Sequence, residues 1–174
     1  MIYNKTALIG MQSNSGLATL LTGVAAGNGS GTGSGVIYLF NGTPPTDPDA
    51  AIDVTNGTGA YTLLGKVVSN TTGPVGLSFA ANSTSAVLSK HASETWSTGT
   101  IGTFVGGLNA SSSAPITFIR FCPIADDGHT LNTTYARVQA TVAQTDSGTA
   151  ADILLASNVV TVGGTFGFDG FAFV

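Results

Sequence analysis

The sequence predicts an all-β domain, a β-sandwich or jelly-roll-like fold, preceded by a short N-terminal helix and a flexible Gly/Ser-rich linker. Three observations lead there. Short apolar runs rich in Val, Ile, Phe and Tyr recur from residue 36 to residue 174, separated by Gly, Asn, Asp and Pro clusters, as in two-layer antiparallel folds. One run, 134–143, alternates with a period of two: Ala136, Val138, Ala140 and Val142 fall on one face, Tyr135, Arg137, Gln139 and Thr141 on the other. A third run, Val36-Ile37-Tyr38-Leu39-Phe40, stops in Asn41-Gly42-Thr43-Pro44-Pro45-Thr46-Asp47-Pro48. The prolines there fix φ and remove backbone donors, so no regular strand continues.

Taken in order, residues 1–35 form an N-terminal arm. Leu17, Leu20, Leu21 and Val24 stand at i, i+3, i+4 and i+7 behind Ser15-Gly16, which places them on one face of a short helix. Gly27-Asn28-Gly29-Ser30-Gly31-Thr32-Gly33-Ser34-Gly35 is a flexible linker by composition. An arm tethered in this way docks either on its own domain or on a neighbour, and its apolar face is a candidate partner-binding surface. The β domain spans 36–174, with an insert at about 68–108. Its candidate strands are 36–40, 61–68, 75–80, 86–88, 101–105, 116–124, 134–143, 152–155, 159–162 and 165–174.

Pro44 and Pro45 head an exposed, rigid connection that reads as a contact element. The run 116–124 is apolar on both faces apart from Thr117 and Arg120, so it belongs at the centre of a sheet. A buried Arg120 needs a carboxylate or several carbonyls, because an unpaired buried charge costs several kcal/mol. Strand 134–143 is expected to keep one wet or partner-facing side. At the C-terminus Phe166 and Phe168 share one face while Phe171 and Phe173 take the other, unless Asp169-Gly170 forms a bulge or a tight hairpin. Either way, Phe171 and Phe173 are candidates for core or interface.

Composition narrows the function classes. A chain of 174 residues suffices for one domain with a substantial core. Charged residues make up 8% of it, against about 25% in ordinary soluble domains. Solubility therefore falls to Ser, Thr, Asn and Gly, and so uncharged a surface suits lasting contact with other protein. Five Lys and Arg residues are too few for a phosphate-neutralising surface, so no nucleic-acid partner is expected. No apolar run reaches the roughly 18 residues that would cross a membrane, and the N-terminus lacks the pattern of a secretory signal. The chain reads as soluble and unexported. The single cysteine, Cys122, lies in an apolar run and reads as a buried, inert thiol.

Catalytic arrangements are scarce. His91 and His129 are the only histidines, and neither has a partner at metal-ligand spacing. Asp126-Asp127-Gly128-His129 reads as a polar turn, and Asp47, Asp49 and Asp53 as solvated loop carboxylates that fall short of a calcium loop. No serine sits in a GxSxG elbow, and the glycine stretch 27–35 lacks the Lys-Ser/Thr ending of a phosphate loop. No cofactor, metal or catalytic residue is expected. Trp96 could stack on a sugar, or else serve as a core or rim residue.

Several blocks, in order, resemble a recurrent pattern in small β-rich structural proteins of tailed bacteriophages. They are Gly35 to Phe40 with the Gly42-Thr43-Pro44-Pro45 turn and Asp49-Ala50-Ala51; Tyr61-Thr62-Leu63-Leu64; Ile116 to Phe121 with Asp127-Gly128; and Gly148 to Leu155 continuing through Val159 to Phe166. The insert at about 68–108, with His91, Glu94 and Trp96, departs from that pattern. The resemblance implies a non-enzymatic virion component. On this reading the chain is a capsid decoration or cement protein, made in the host cytoplasm and placed on the capsid surface. Its partners are the major capsid protein and copies of itself, as a trimer or dimer. The alternative is a tail or head-fibre component that binds host surface glycans through the insert around Trp96.

Overall fold

The computed structural model describes residues 1–5, 7, 16–23, 33–55, 59–69, 76–80, 88–106, 112–169 and 172–173. The fold is all-β. Its strands are β1 (Ile2–Tyr3), β2 (Gly35–Asn41), β3 (Thr62–Ser69), β4 (Leu88–Ser89), β5 (Trp96–Ser97), β6 (Val105–Gly106), β7 (Ser113–Pro115), β8 (Phe118–Pro123), β9 (Val138–Gln144), β10 (Ile153–Leu155), β11 (Val159–Thr161), β12 (Gly167–Phe168) and β13 (Ala172–Phe173). A helix, α1 (Leu17–Thr22), lies between β1 and β2. Nine strands form a single sheet in the order β1-β9-β8-β2-β3-β5-β12, with β10 beside β9 and β6 beside β3. The sheet curls into a half-barrel. Its pairings are antiparallel except that of β10 with β9. Two ribbons, β7 with β11 and β4 with β13, accompany it.

The apolar run at 36–40 becomes β2, with β3 on one side and β8 on the other. Because a strand alternates its side chains, a run that is apolar throughout can be satisfied only by burial on both faces. Ile37 and Leu39 enter the main core with Leu21, Phe79, Trp96, Ile119, Phe121, Val138 and Ala140. Val36, Tyr38 and Phe40 join Ile52, Val68, Phe118 and Cys122 in a second core on the other face, where Phe40 stacks on Phe118 with ring centroids 5.0 Å apart. Burial raises the Cys122 thiol pKa well above its usual value, so the thiol stays protonated. As expected, β8 is central, between β9 and β2.

The described parts of the first 35 residues belong to this domain. Strand β1 pairs with β9, and α1 packs on β8 and β2 with Ala18 and Leu21 buried. The described parts of the arm thus dock on the chain's own domain, one of the two arrangements open to it. The helix ends two residues before Val24 because Gly23 takes φ 72 and its N–H caps Thr19 O, a left-handed stop that glycine adopts without strain. The end of the glycine stretch is also fixed. Gly35 and Leu77 exchange backbone hydrogen bonds, and a Cβ on Gly33 would lie 1.9 Å from Leu77 O. Glycine serves there as the residue that lets two backbones meet.

Described residues of the stretch 68–108 help to build the core. Leu77, Phe79, Trp96, Ile101 and Phe104 all lie in the main core. Within it, the expected strand at 75–80 reduces to single bridges at Leu77 and Phe79, and 101–105 is a loop that ends in β6. The expected strand at 86–88 lies mostly outside the described residues. The C-terminal run splits, since β12 pairs with β5 and β13 with β4. The described residues of the two segments thus pair with different strands.

Candidate functional site

Strands β8 and β9 set Arg120 and Gln139 opposite each other, with Tyr38 of β2 opposite Arg120. Arg137, two residues before Gln139, shares that face. The expected wet side of β9 is not wet: Arg137 is 0% exposed and Gln139 2%. The proline-rich connection folds over them and supplies acceptors. Gln139 Nε2 donates to Pro45 O at 2.6 Å, Arg120 Nη1 to Ala50 O at 3.0 Å, and Arg137 Nη1 to Pro48 O at 3.1 Å. Proline has no N–H but keeps its carbonyl, so such a loop can point acceptors inward with fewer backbone donors of its own to satisfy. Pro48 and Asp49 are accordingly buried and Pro44 and Pro45 half-buried, which corrects the picture of an exposed connection.

The turn after β8 completes the cluster. Asp126 accepts two hydrogen bonds from Arg137, from Nε and Nη2, each at 2.6 Å, the paired geometry that makes guanidinium–carboxylate contacts strong. Arg137 Nη2 also donates to Thr130 O, and Arg120 Nη1 to Gly128 O. From the N-terminus, Asn4 accepts from the Arg137 backbone N–H and donates to Asp49 Oδ1 at 2.6 Å. Arg120 thus finds carbonyls in place of a carboxylate, one of the two solutions its burial demanded.

Of the two buried guanidinium groups only Arg137 pairs directly with a carboxylate, that of Asp126, while the buried Asp49 carboxylate is bound through Asn4. Burial, and then the neighbouring Arg137, push the Arg120 pKa down to about 10, which leaves it charged at neutral pH. Burial also works against ionisation of Arg137 and Asp126. Their mutual hydrogen bonds and charges outweigh it, raising the Arg137 pKa and lowering that of Asp126. Tyr38 donates its phenol to Asp126 O, and burial raises its pKa further. Among the described residues no buried side-chain nitrogen or oxygen lacks a partner. The cluster therefore acts as an internal clasp.

Above the clasp lies an open groove lined by Ala51, Ile52, Asp53, Val54 and Thr55 on one side and His129, Thr130 and Leu131 on the other. Ile52 N donates to His129 O at 2.7 Å and Asn132 N to Asp49 O at 3.2 Å, joining the two walls. Asp127 accepts from the backbone N–H groups of His129 and Thr130, and Asn132 from those of Thr134 and Tyr135. Leu131 projects from this braced turn with 71% of its surface exposed.

The other expected site residues are dispersed. Leu17 and Leu20 are half-buried against the main core and Leu21 is within it. Val24 and Phe171 lie outside the described residues, and the Phe173 backbone pairs with Leu88. Trp96 is 1% exposed and donates to Glu94 Oε2 at 2.6 Å, so its ring offers no face to a sugar. Asp126 and Asp127 serve Arg137 and the turn, Asp49 accepts from Asn4, and Asp53 accepts from the Thr55 N–H. Among the described residues, no three His, Cys, Asp or Glu side chains are grouped to hold a metal ion. Sequence reasoning missed Asn4 and Leu131, each a single residue in a short polar stretch without periodicity. No protein family, curated protein or solved structure matches the chain.

Proposed function

We propose that the protein is a capsid decoration or cement protein of a tailed bacteriophage. It would sit on the shell against the major capsid protein and copies of itself, as a trimer or dimer. The observation that carries this reading is the poverty of charge at the surface. The sequence holds 14 charged side chains, and Arg120, Arg137, Asp126, Asp49 and Glu94 are buried. Charged residues are what interfaces between proteins exclude from their centres, so a domain that keeps so few outside is suited to being covered. The resemblance to phage structural proteins supports the same reading.

The mechanism is mass action. A protein that binds the assembled shell and not its dissociated subunits raises the stability of the shell by the free energy of that binding. Closed symmetry of the shell favours symmetric copies of the decorating protein. The test compares purified particles with and without this protein. Particles lacking it are expected to lose their contents at lower temperature, and added protein to restore the wild-type temperature. Equal heat stability, with the protein found on tails alone, would refute the reading.

A further inference from the structure

We propose that the groove between residues 51–55 and 129–131 is the docking site, and that it receives an extended partner segment carrying an apolar side chain flanked by lysine or arginine. This inference rests on the capsid reading, which makes the partner segment part of the shell subunit. Leu131 is the anchor. Among the described residues it is the most exposed large apolar side chain, yet its backbone is not free to collapse inward. Hydrogen bonds from Arg137 to Thr130 O, from Ile52 to His129 O, and from the Thr134 and Tyr135 N–H groups to Asn132 fix the turn on both sides of it. An exposed apolar side chain on a pre-ordered backbone loses little conformational entropy on binding, which is what favours a binding hot spot. Ala51 and Val54 line the opposing wall, with Ile52 beneath them buried in the second core.

The charge of the partner follows from the rim. Asp53 is exposed on one wall and bonds to neighbouring Thr55. Asp127 is held by Thr130 of the other wall, with 42% of its side chain exposed. The two arginines below are buried in the clasp, so the charged side chains exposed at the mouth are these carboxylates, with the His129 ring 3.8 Å from Asp127. A cation beside the inserted apolar side chain matches that rim, whereas an acidic segment would be repelled.

The experiment measures binding of the full-length protein to purified shells that lack it. Three proteins are compared with wild type: Leu131→Asp, the reversal Asp53→Lys with Asp127→Lys, and Leu154→Asp as an exposed control on β10. The melting temperature of each free protein confirms folding. Leu131→Asp is expected to weaken binding by at least about tenfold, and Leu154→Asp to leave it unchanged. Charge reversal is expected to weaken binding and remove its salt sensitivity. If wild type binds and Leu131→Asp binds equally well, the inference falls and the proposed function stands. A loss confined to Leu131→Asp, with charge reversal neutral, would overturn the basic segment. Failure of wild type to bind shells overturns the proposed function and this inference with it.

Discussion

Replacing Asp126 with Asn keeps the shape of the side chain and removes the one carboxylate that pairs with Arg137. Arg137 then remains buried, and Arg120 loses a neighbour that helps hold its charge. Removing one partner of a buried pair costs about 3–5 kcal/mol, because the other charge stays in the interior without compensation. That is a large fraction of the roughly 5–15 kcal/mol that stabilises a domain. At this chain length it corresponds to a fall in Tm of about 6–20 °C. Urea unfolding followed by tryptophan fluorescence, with circular dichroism against temperature, would measure both. The pH profile supplies a second reading. Folded Asp126 binds its proton less readily than the same group in the unfolded chain, so its contribution is whole above about pH 4. It is lost as pH falls through the lower folded value, and Asp126→Asn should lack this acid-dependent component. The double replacement Asp126→Leu with Arg137→Met should recover much of the loss, since it leaves no orphaned charge. A loss below about 1 kcal/mol for Asp126→Asn would refute the clasp as a stabilising unit.

Two further substitutions probe the turn of the clasp and the main core. Gly128 has φ +72, and a Cβ there would lie 2.4 Å from Tyr38 Cδ2. Gly128→Ala should therefore combine backbone strain with overpacking, each about 1–3 kcal/mol, read as a lowered urea midpoint. Trp96→Phe removes the indole donor to buried Glu94. It should cost about 1–3 kcal/mol, measured by thermal melting, and an unchanged Tm would show that this hydrogen bond contributes nothing.

The central strands were legible because their chemistry admits one arrangement. Five consecutive apolar residues at 36–40 and the run around Arg120 need burial on both sides, and β2 and β8 provide it. The alternation in β9 correctly told which side chains share a face, but not what covers that face. Arg137 and Gln139 look solvated in sequence because their partners are backbone carbonyls about 90 residues away, which no local pattern records. The same blindness hid the role of the proline-rich connection, whose side chains suggest an exposed turn while its carbonyls face inward. The core residues of 68–108 were obscure for another reason. Leu77, Phe79 and Trp96 are scattered among serines, threonines and glycines without a repeating period, and irregular backbone leaves no periodic trace. Leu131 was missed because one leucine in a polar turn is unremarkable until its exposure and bracing are known.

The pairing of β1 with β9 also sets a timetable. Residues 2 and 3 find their partners at 139 and 138, so the first strand emerges from the ribosome long before the strand it must join. At a synthesis rate of about 5–20 residues per second, that delay is about 7–27 seconds. Contacts this distant in sequence slow the search for the native state. The edge of the sheet therefore closes late in biosynthesis, and any fragment ending before Val138 leaves β1 without a partner.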